Sequence, residues 1–198
     1  VKYRSLTRTT HPVVEPVSVA EAKAHLRVDS DEDNFYIASL LSAAREWVEV
    51  YLDRTLIQTQ WTVRLDGFPI DDIELPRPPM SQTQTAVVIT FTSEAGSVAT
   101  LSSDLYRVDR ASTPGVVRPL RTGNWPSHMD DANAITITWW AGYGVDGRSV
   151  PAPIRHAILM LVGFWFENRS AVNVGSISKP LEFAVDSLLS SQKWGGYQ

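Results

Sequence analysis

An α+β fold, with a helical core formed by the N- and C-terminal segments and a β-rich insertion between them, is what this sequence predicts. Three features predict it. Apolar residues recur at steps of three and four through Ile37, Leu40, Leu41, Ala44, Val48, Tyr51 and Leu52, the period of a helix buried along one face. From Gln58 the period falls to two, with Trp61, Val63 and Leu65 alternating with Thr62, Arg64 and Asp66. After Val150-Pro151-Ala152-Pro153 an apolar run from Ala157 to Phe166 returns the chain to helix. The divisions follow: 13–57 is the first part of the helical core, 58–149 the β-rich insert, and 150–198 the second part of the core with a C-terminal tail.

In chain order, the prolines of His11-Pro12-Val13-Val14-Glu15-Pro16-Val17 keep the backbone extended up to Ser18. Ser18 and Glu21 have the spacing of a capping box, in which the hydroxyl accepts from the third helical amide and the carboxylate accepts from the cap amide. A short helix to about Leu26 follows. The next helix carries its apolar stripe on one side, and Ser39, Ser42, Glu46, Glu49 and Asp53 are expected on a wet opposite face. Beyond the first strand and the break at Gly67-Phe68-Pro69, strands are expected at Ile73 to Leu75, Thr85 to Phe91, Tyr106 to Val108, Val116 to Val117 and Ala134 to Trp140, forming a compact sheet or small barrel. Pro153 suits the first position of the returning helix, because its missing amide proton has no partner there in any case. That helix should run from Ile154 to about Asn168, followed by a loop over 170–179 and a last helix after Pro180 through Leu188 and Leu189. The tail Trp194-Gly195-Gly196-Tyr197 is expected to take its order from a partner.

Composition narrows the function classes. The 22 acidic side chains exceed the 18 basic ones, giving a net charge of −4, so the surface is not built to grip nucleic acid by counterion release. With no cysteine there is no disulfide, thiolate metal site or Cys nucleophile, which suits a reducing compartment. The first ten residues, VKYRSLTRTT, lack the apolar run of a signal peptide. The run from Ala157 to Phe166 falls short of the roughly 20 residues that span a bilayer, so no membrane association is expected.

Motifs with chemical associations fail on context. Gly142-Tyr143-Gly144-Val145-Asp146-Gly147 matches G-x-G-x-x-G, but Val150-Pro151-Ala152-Pro153 separates it from the following helix, which points to a turn. Asp29, Asp31 and Asp33 have calcium-loop spacing, yet Asn34 stands where that loop needs Gly and Leu40 where it needs Glu; the helix macrodipole accounts for the acids. His11, His25, His128 and His156 show no metal spacing, and His156 is expected in a hydrogen-bonded packing role. Asn168-Arg169-Ser170 fits a glycosylation sequon without a secretion context. No catalytic residue, cofactor site or metal site is expected.

The returning helix is apolar on every face, and a helix of that kind must be covered all round. Ile158, Leu161, Val162, Trp165 and Phe166 are therefore candidates for a core helix or for a subunit interface.

Taken in order, several stretches resemble the head-tail connector, or adaptor, family of tailed phages, prophages and gene transfer agents. They are 16–28, the helix containing Ala43-Ala44-Arg45-Glu46-Trp47-Val48-Glu49, the turn Leu65-Asp66-Gly67-Phe68-Pro69, the element Leu75-Pro76-Arg77-Pro78-Pro79, Ala141-Gly142-Tyr143-Gly144 leading into Val150–Ile154, and Val162–Arg169. The resemblance implies a non-catalytic subunit of a homo-oligomeric ring of about twelve copies, closed by heterologous contacts. That ring would lie under the portal protein and join it to stopper or other tail-proximal proteins, with the capsid as a further partner. DNA would pass through without specific binding, at the head-tail junction of a particle assembled in the bacterial cytoplasm. The smaller connectors of the group are mainly helical, so 58–149 looks like an insertion. For portal docking the candidates are Leu188, Leu189, Trp194 and Tyr197, apolar anchors in the C-terminal helix and tail. A binding module for glycan or peptide is the alternative, with Trp125, Trp139, Trp140 and Tyr143 as its aromatic platform.

Overall fold

The computed structural model describes residues 3–120, 124–169 and 179–193. Among the described residues the architecture is α+β: four α-helices and eight strands, each strand pairing antiparallel. The chain divides into two compact units. One comprises Val1–Pro12 and Gln58–Tyr143, the other Val13–Ile57 and Gly144–Gln198.

The first unit is β-rich. Strands β1 (Ser5–Arg8), β2 (Thr59–Leu65), β4 (Val88–Thr92), β5 (Val98–Thr100) and β8 (Ile135–Ala141) form a five-stranded sheet in the order β1-β2-β8-β4-β5. Strands β3 (Ile73–Leu75), β6 (Tyr106–Asp109) and β7 (Gly115–Pro119) form a three-stranded sheet in the order β3-β7-β6. The expected single sheet or barrel is thus two sheets. Strict alternation sets the register: Trp61 lies opposite Trp139 and Val63 opposite Ile137, so one face of β2 and β8 is apolar except for the buried Thr59 at its end, opposite Ala141. Val63, Ile89, Ile135, Ile137 and Trp139 join Ile73, Leu75 and Val117 from the smaller sheet in one buried cluster. The other face of the large sheet is hydroxyl-rich, with the Thr62 Oγ1 lying 3.0 Å from that of Thr138 and 3.2 Å from that of Thr9. Two strands escape the sequence pattern, β1 and β5. Both are short edge strands without a period-two apolar signal, and pairing rather than composition defines them.

The second unit is helical: α1 (Val19–Leu26), α2 (Asn34–Leu52), α3 (Ala152–Glu167) and α4 (Lys179–Leu189), with α3 packed against the other three. Helices α1 and α2 end on left-handed residues, Arg27 at φ 57° and Asp53 at φ 51°. In each case the next amide closes back onto the last turn, Val28 N on Lys23 O at 3.0 Å and Arg54 N on Glu49 O at 3.1 Å, satisfying carbonyls that a helix end would otherwise strand. The core of the unit is Ala22, Ile37, Leu41, Ala44, Val48, Leu52, Ile154, Ala157, Ile158, Leu161 and Val162, each at most 1% exposed.

Candidate assembly surfaces of the helical unit

The extended arm before α1 is held from three directions. Ser18 caps the helix with both halves of the capping box in place, its Oγ accepting from Glu21 N at 3.2 Å and its own N donating to Glu21 Oε2 at 2.9 Å. The Arg155 guanidinium from α3 then bonds both Glu21 and the Pro16 carbonyl, the latter at 3.0 Å. The amide of Ser18 holds the Glu21 carboxyl below the usual carboxylate range, with its hydroxyl and Arg155 adding to the effect. Gly147 lies under the arm so closely that a Cβ there would stand 2.5 Å from the Pro16 carbonyl oxygen.

That contact explains the glycine motif without a nucleotide. Gly142 takes a φ of 127°, a Cβ on Gly144 would stand 2.3 Å from Ser149 Oγ, and Gly147 makes room for the arm. The stretches 16–28 and 144–154, far apart in sequence, thus form one clasp.

Below the arm, Arg45 is 3% exposed and bonds Glu15 at 2.8 Å through Nε, Glu49 at 3.0 Å through Nη1 and Ser42 at 3.2 Å through Nη2. Glu49 is also 3% exposed, and its second oxygen accepts from Leu56 N at 2.9 Å. This corrects the expected wet face of α2: Glu49 is buried because Arg45 one turn earlier and a backbone amide satisfy it. Burial pushes the Glu15 carboxyl up, and the Arg45 charge offsets only part of that. Burial works against the Arg45 charge as well, yet the carboxylates of Glu15 and Glu49 keep its guanidinium above its ordinary value.

On α3 the apolar candidates separate. Ile158, Leu161 and Val162 are fully buried within the unit, Trp165 is 6% exposed, and Phe166 is half-buried against Tyr36, their ring centres 6.0 Å apart. On α4, Leu189 is buried and Leu188 half-buried, while Phe183, which the sequence reading passed over, is 77% exposed. Trp194 and Tyr197 lie outside the described residues.

The histidines part company with their expected roles. His156 is exposed instead of packed, and its ring meets that of His25 edge-on at 6.4 Å, a pairing that sequence spacing does not reveal. Among the described residues no group of three or more His, Cys, Asp or Glu side chains is placed to hold a metal ion, and no helix is long and apolar enough to cross a membrane. The aromatic platform is not formed as expected. Trp139 is fully buried in the β-rich core and Trp125 stacks on Phe68 at 4.6 Å, while Trp140 and Tyr143 are half-buried.

Comparison with known proteins bears on these surfaces. The family model for the phage gp6-like head-tail connector protein matches residues 16–103, which take in α1, α2 and the strands β2 to β5. The fold is similar to chains in three solved particles. In "Neck of empty GTA particle computed with C6 symmetry" the identity is 20% and the TM-score 0.75, covering 96% of this chain and 95% of that one. In "Virion of native gene transfer agent (GTA) particle" the identity is again 20% with a TM-score of 0.75, over 95% and 94%. In "Neck of native GTA particle computed with C12 symmetry" it is 22% with a TM-score of 0.71, over 96% and 94%. At such identities the likeness is one of fold. No curated protein matches the chain. The resemblance to head-tail connectors read from the sequence is borne out by the family match.

Proposed function

We propose that this chain, a head-tail connector by its family match, is a structural subunit of a ring beneath the portal of a phage or phage-like particle, joining capsid to tail. The observation that carries the proposal is the match over 16–103 together with a fold shared along nearly the whole chain with proteins of particle necks. The helical stretches 13–57 and 150–198 act as the ring-building core in this reading, and 58–149 is an insertion directed to capsid or tail. About twelve copies close through contacts between unlike surfaces, the arrangement that turns a repeated heterologous interface into a ring. Leu188 and the tail residues Trp194 and Tyr197 dock on the portal; Leu189, buried in its own unit, supports that helix from beneath.

The role is non-enzymatic: the subunit positions neighbours and leaves a passage for DNA. Charge distribution supports this. The β-rich unit holds nine basic and nine acidic side chains and the helical unit nine against thirteen, so the whole excess of negative charge belongs to the helical unit. Helical cores lining the passage would repel phosphate and let DNA slide.

Imaging tests the proposal. In particles whose copy of this chain carries a compact label, the label should sit at one vertex between head and tail, and deletion of the chain should leave filled heads without tails. A label spread over the capsid, or normal tailed particles after deletion, would refute the role. Duplex DNA retained by the purified chain at physiological salt would exclude the sliding passage.

A further inference from the structure

The helical unit contains two histidines, His25 in the last turn of α1 and His156 near the start of α3, and the fold brings them together. Their rings meet edge-on with centres 6.4 Å apart. Both side chains are exposed, and among the described residues neither ring has a hydrogen-bond partner. One turn before His25, Glu21 is paired with Arg155, the chain neighbour of His156, so an ion pair and an imidazole pair form successive rungs between α1 and α3. The Arg155 charge beside the imidazoles is thereby already balanced. On α3, about two turns beyond His156, a Cβ on Gly163 would stand 3.6 Å from His25 Nε2. The missing side chain leaves room beside that nitrogen.

A neutral imidazole without a hydrogen-bond partner has a lone pair free for a metal. Imidazole suits Zn²⁺, Cu²⁺ and Ni²⁺, whereas Mg²⁺ and Ca²⁺ take oxygen ligands. Metal–nitrogen bonds of about 2.0–2.1 Å place each ring centre about 3.2 Å from a shared ion, and a tetrahedral angle then sets the two centres about 5.2 Å apart. His25 and His156 stand about 1 Å wider than that. Exposed side chains cover such a distance by small turns about χ1 and χ2. Their edge-on arrangement is no obstacle, because each ring can rotate about its own metal–nitrogen bond.

We propose that His25 and His156 form a two-imidazole site for a divalent transition-metal ion of the Zn²⁺, Cu²⁺ and Ni²⁺ class, with water completing the coordination. A bound ion ties α1, which follows directly on the arm of the clasp, to α3, the helix on which the rest of the unit packs. Among the described residues no third His, Cys, Asp or Glu is placed to complete a set of three ligands, so the site is open and exchangeable, unlike a closed structural centre. Affinity falls in acid, because protons compete for the same nitrogens. The site is independent of the connector role, and neither stands or falls with the other.

The test uses the full chain without an affinity tag, titrated with copper(II) chloride and, separately, zinc chloride. Pulsed electron paramagnetic resonance of the copper form counts coordinated imidazoles, and the wild-type chain should show two per ion. His25→Ala and His156→Ala should each show one. In calorimetry both should bind zinc at least about tenfold more weakly, since losing even an outer-shell partner of a metal site costs that much. His128→Ala, which lies in the β-rich unit, should bind as the wild type does. Excess zinc should raise the thermal midpoint of the wild type and leave those of the two α1 and α3 variants unmoved, as expected of a ligand bound to the folded state alone. Three results overturn the proposal: half-saturation only above about 1 mM free zinc, the range of adventitious surface binding; a single imidazole on copper in the wild type; or two imidazoles that survive either His25→Ala or His156→Ala. The count on the wild-type chain decides the matter even if a variant fails to fold.

Discussion

The two units bury different chemistry. In the β-rich unit no charged side chain is buried among the described residues: the cluster runs from Trp61 and Val63 to Ile137 and Trp139, with the hydroxyls of Thr59 and Ser81 buried beside it, and the unit's acids and bases cancel. The helical unit encloses an arginine and a glutamate that are each 3% exposed and bonded to each other, and its acids outnumber its bases. An apolar core depends on area and shape and is indifferent to pH. A buried ion pair depends on every partner staying in place, because losing one strands the other. The difference teaches that the helical unit is where chain order, charge and neighbours are coupled.

The largest effects should come from the two cores. Trp139→Ala removes a fully buried indole and should cost about 3–5 kcal/mol in denaturant unfolding, with no dependence on salt. Arg45→Met should cost about 3–5 kcal/mol by leaving Glu49 buried without its partner, and adding Glu49→Leu should recover much of that. If Arg45→Met costs under 1 kcal/mol, the contrast between the cores collapses. Next comes Gly147→Ala, whose methyl group meets the Pro16 carbonyl and should cost about 1–3 kcal/mol, read from the thermal midpoint.

Glu21→Ala should cost about 1 kcal/mol at neutral pH by dismantling the capping box. Its pH dependence has a definite sign. The folded carboxyl lies below its ordinary 4.5, so the unfolded chain binds the proton first; the Glu21 contribution is present above that value and lost as pH falls through the folded one. Melts of wild type and variant should therefore converge as the pH is lowered past that folded value. Glu15 acts oppositely: its raised pKa gives a contribution that is present in acid and lost as pH rises through the folded value. The smallest effect expected is from Ile70→Ser, a side chain fully exposed in a loop of the β-rich unit, at under about 0.5 kcal/mol. A large loss there would mean that the loop is covered.

Legibility followed how locally each feature is encoded. The capping box needs only Ser18 and Glu21, and both hydrogen bonds are where their spacing places them. Strands β2 and β8 each carry enough alternating residues to declare themselves, whereas β1, with Leu6 as its one large aliphatic side chain, exists because β2 offers it an edge. Glu49 was misplaced for a related reason. On a helical wheel it belongs with Ser42 and Glu46, and only Arg45, the Leu56 amide and the folded-back arm make its burial affordable. The apolar candidates on α3 divide similarly: Trp165 is visible as part of an apolar run, while the hydroxyl of Tyr36 against its carbonyl, from 129 residues earlier, is not.

By itself, the sequence determined the class of the fold, the periods and caps of its principal elements, the absence of thiol chemistry and the resemblance to connectors, because all of these are written in neighbours a few residues apart or in composition. Tertiary structure alone decided that the first strand joins the β-rich unit, that Gly147 and Pro16 meet, which charges are buried, and that Phe183 is left exposed on its helix. Such outcomes depend on which distant surfaces come within contact range. Burial energies operate only once the chain has closed those distances, so no local pattern encodes them.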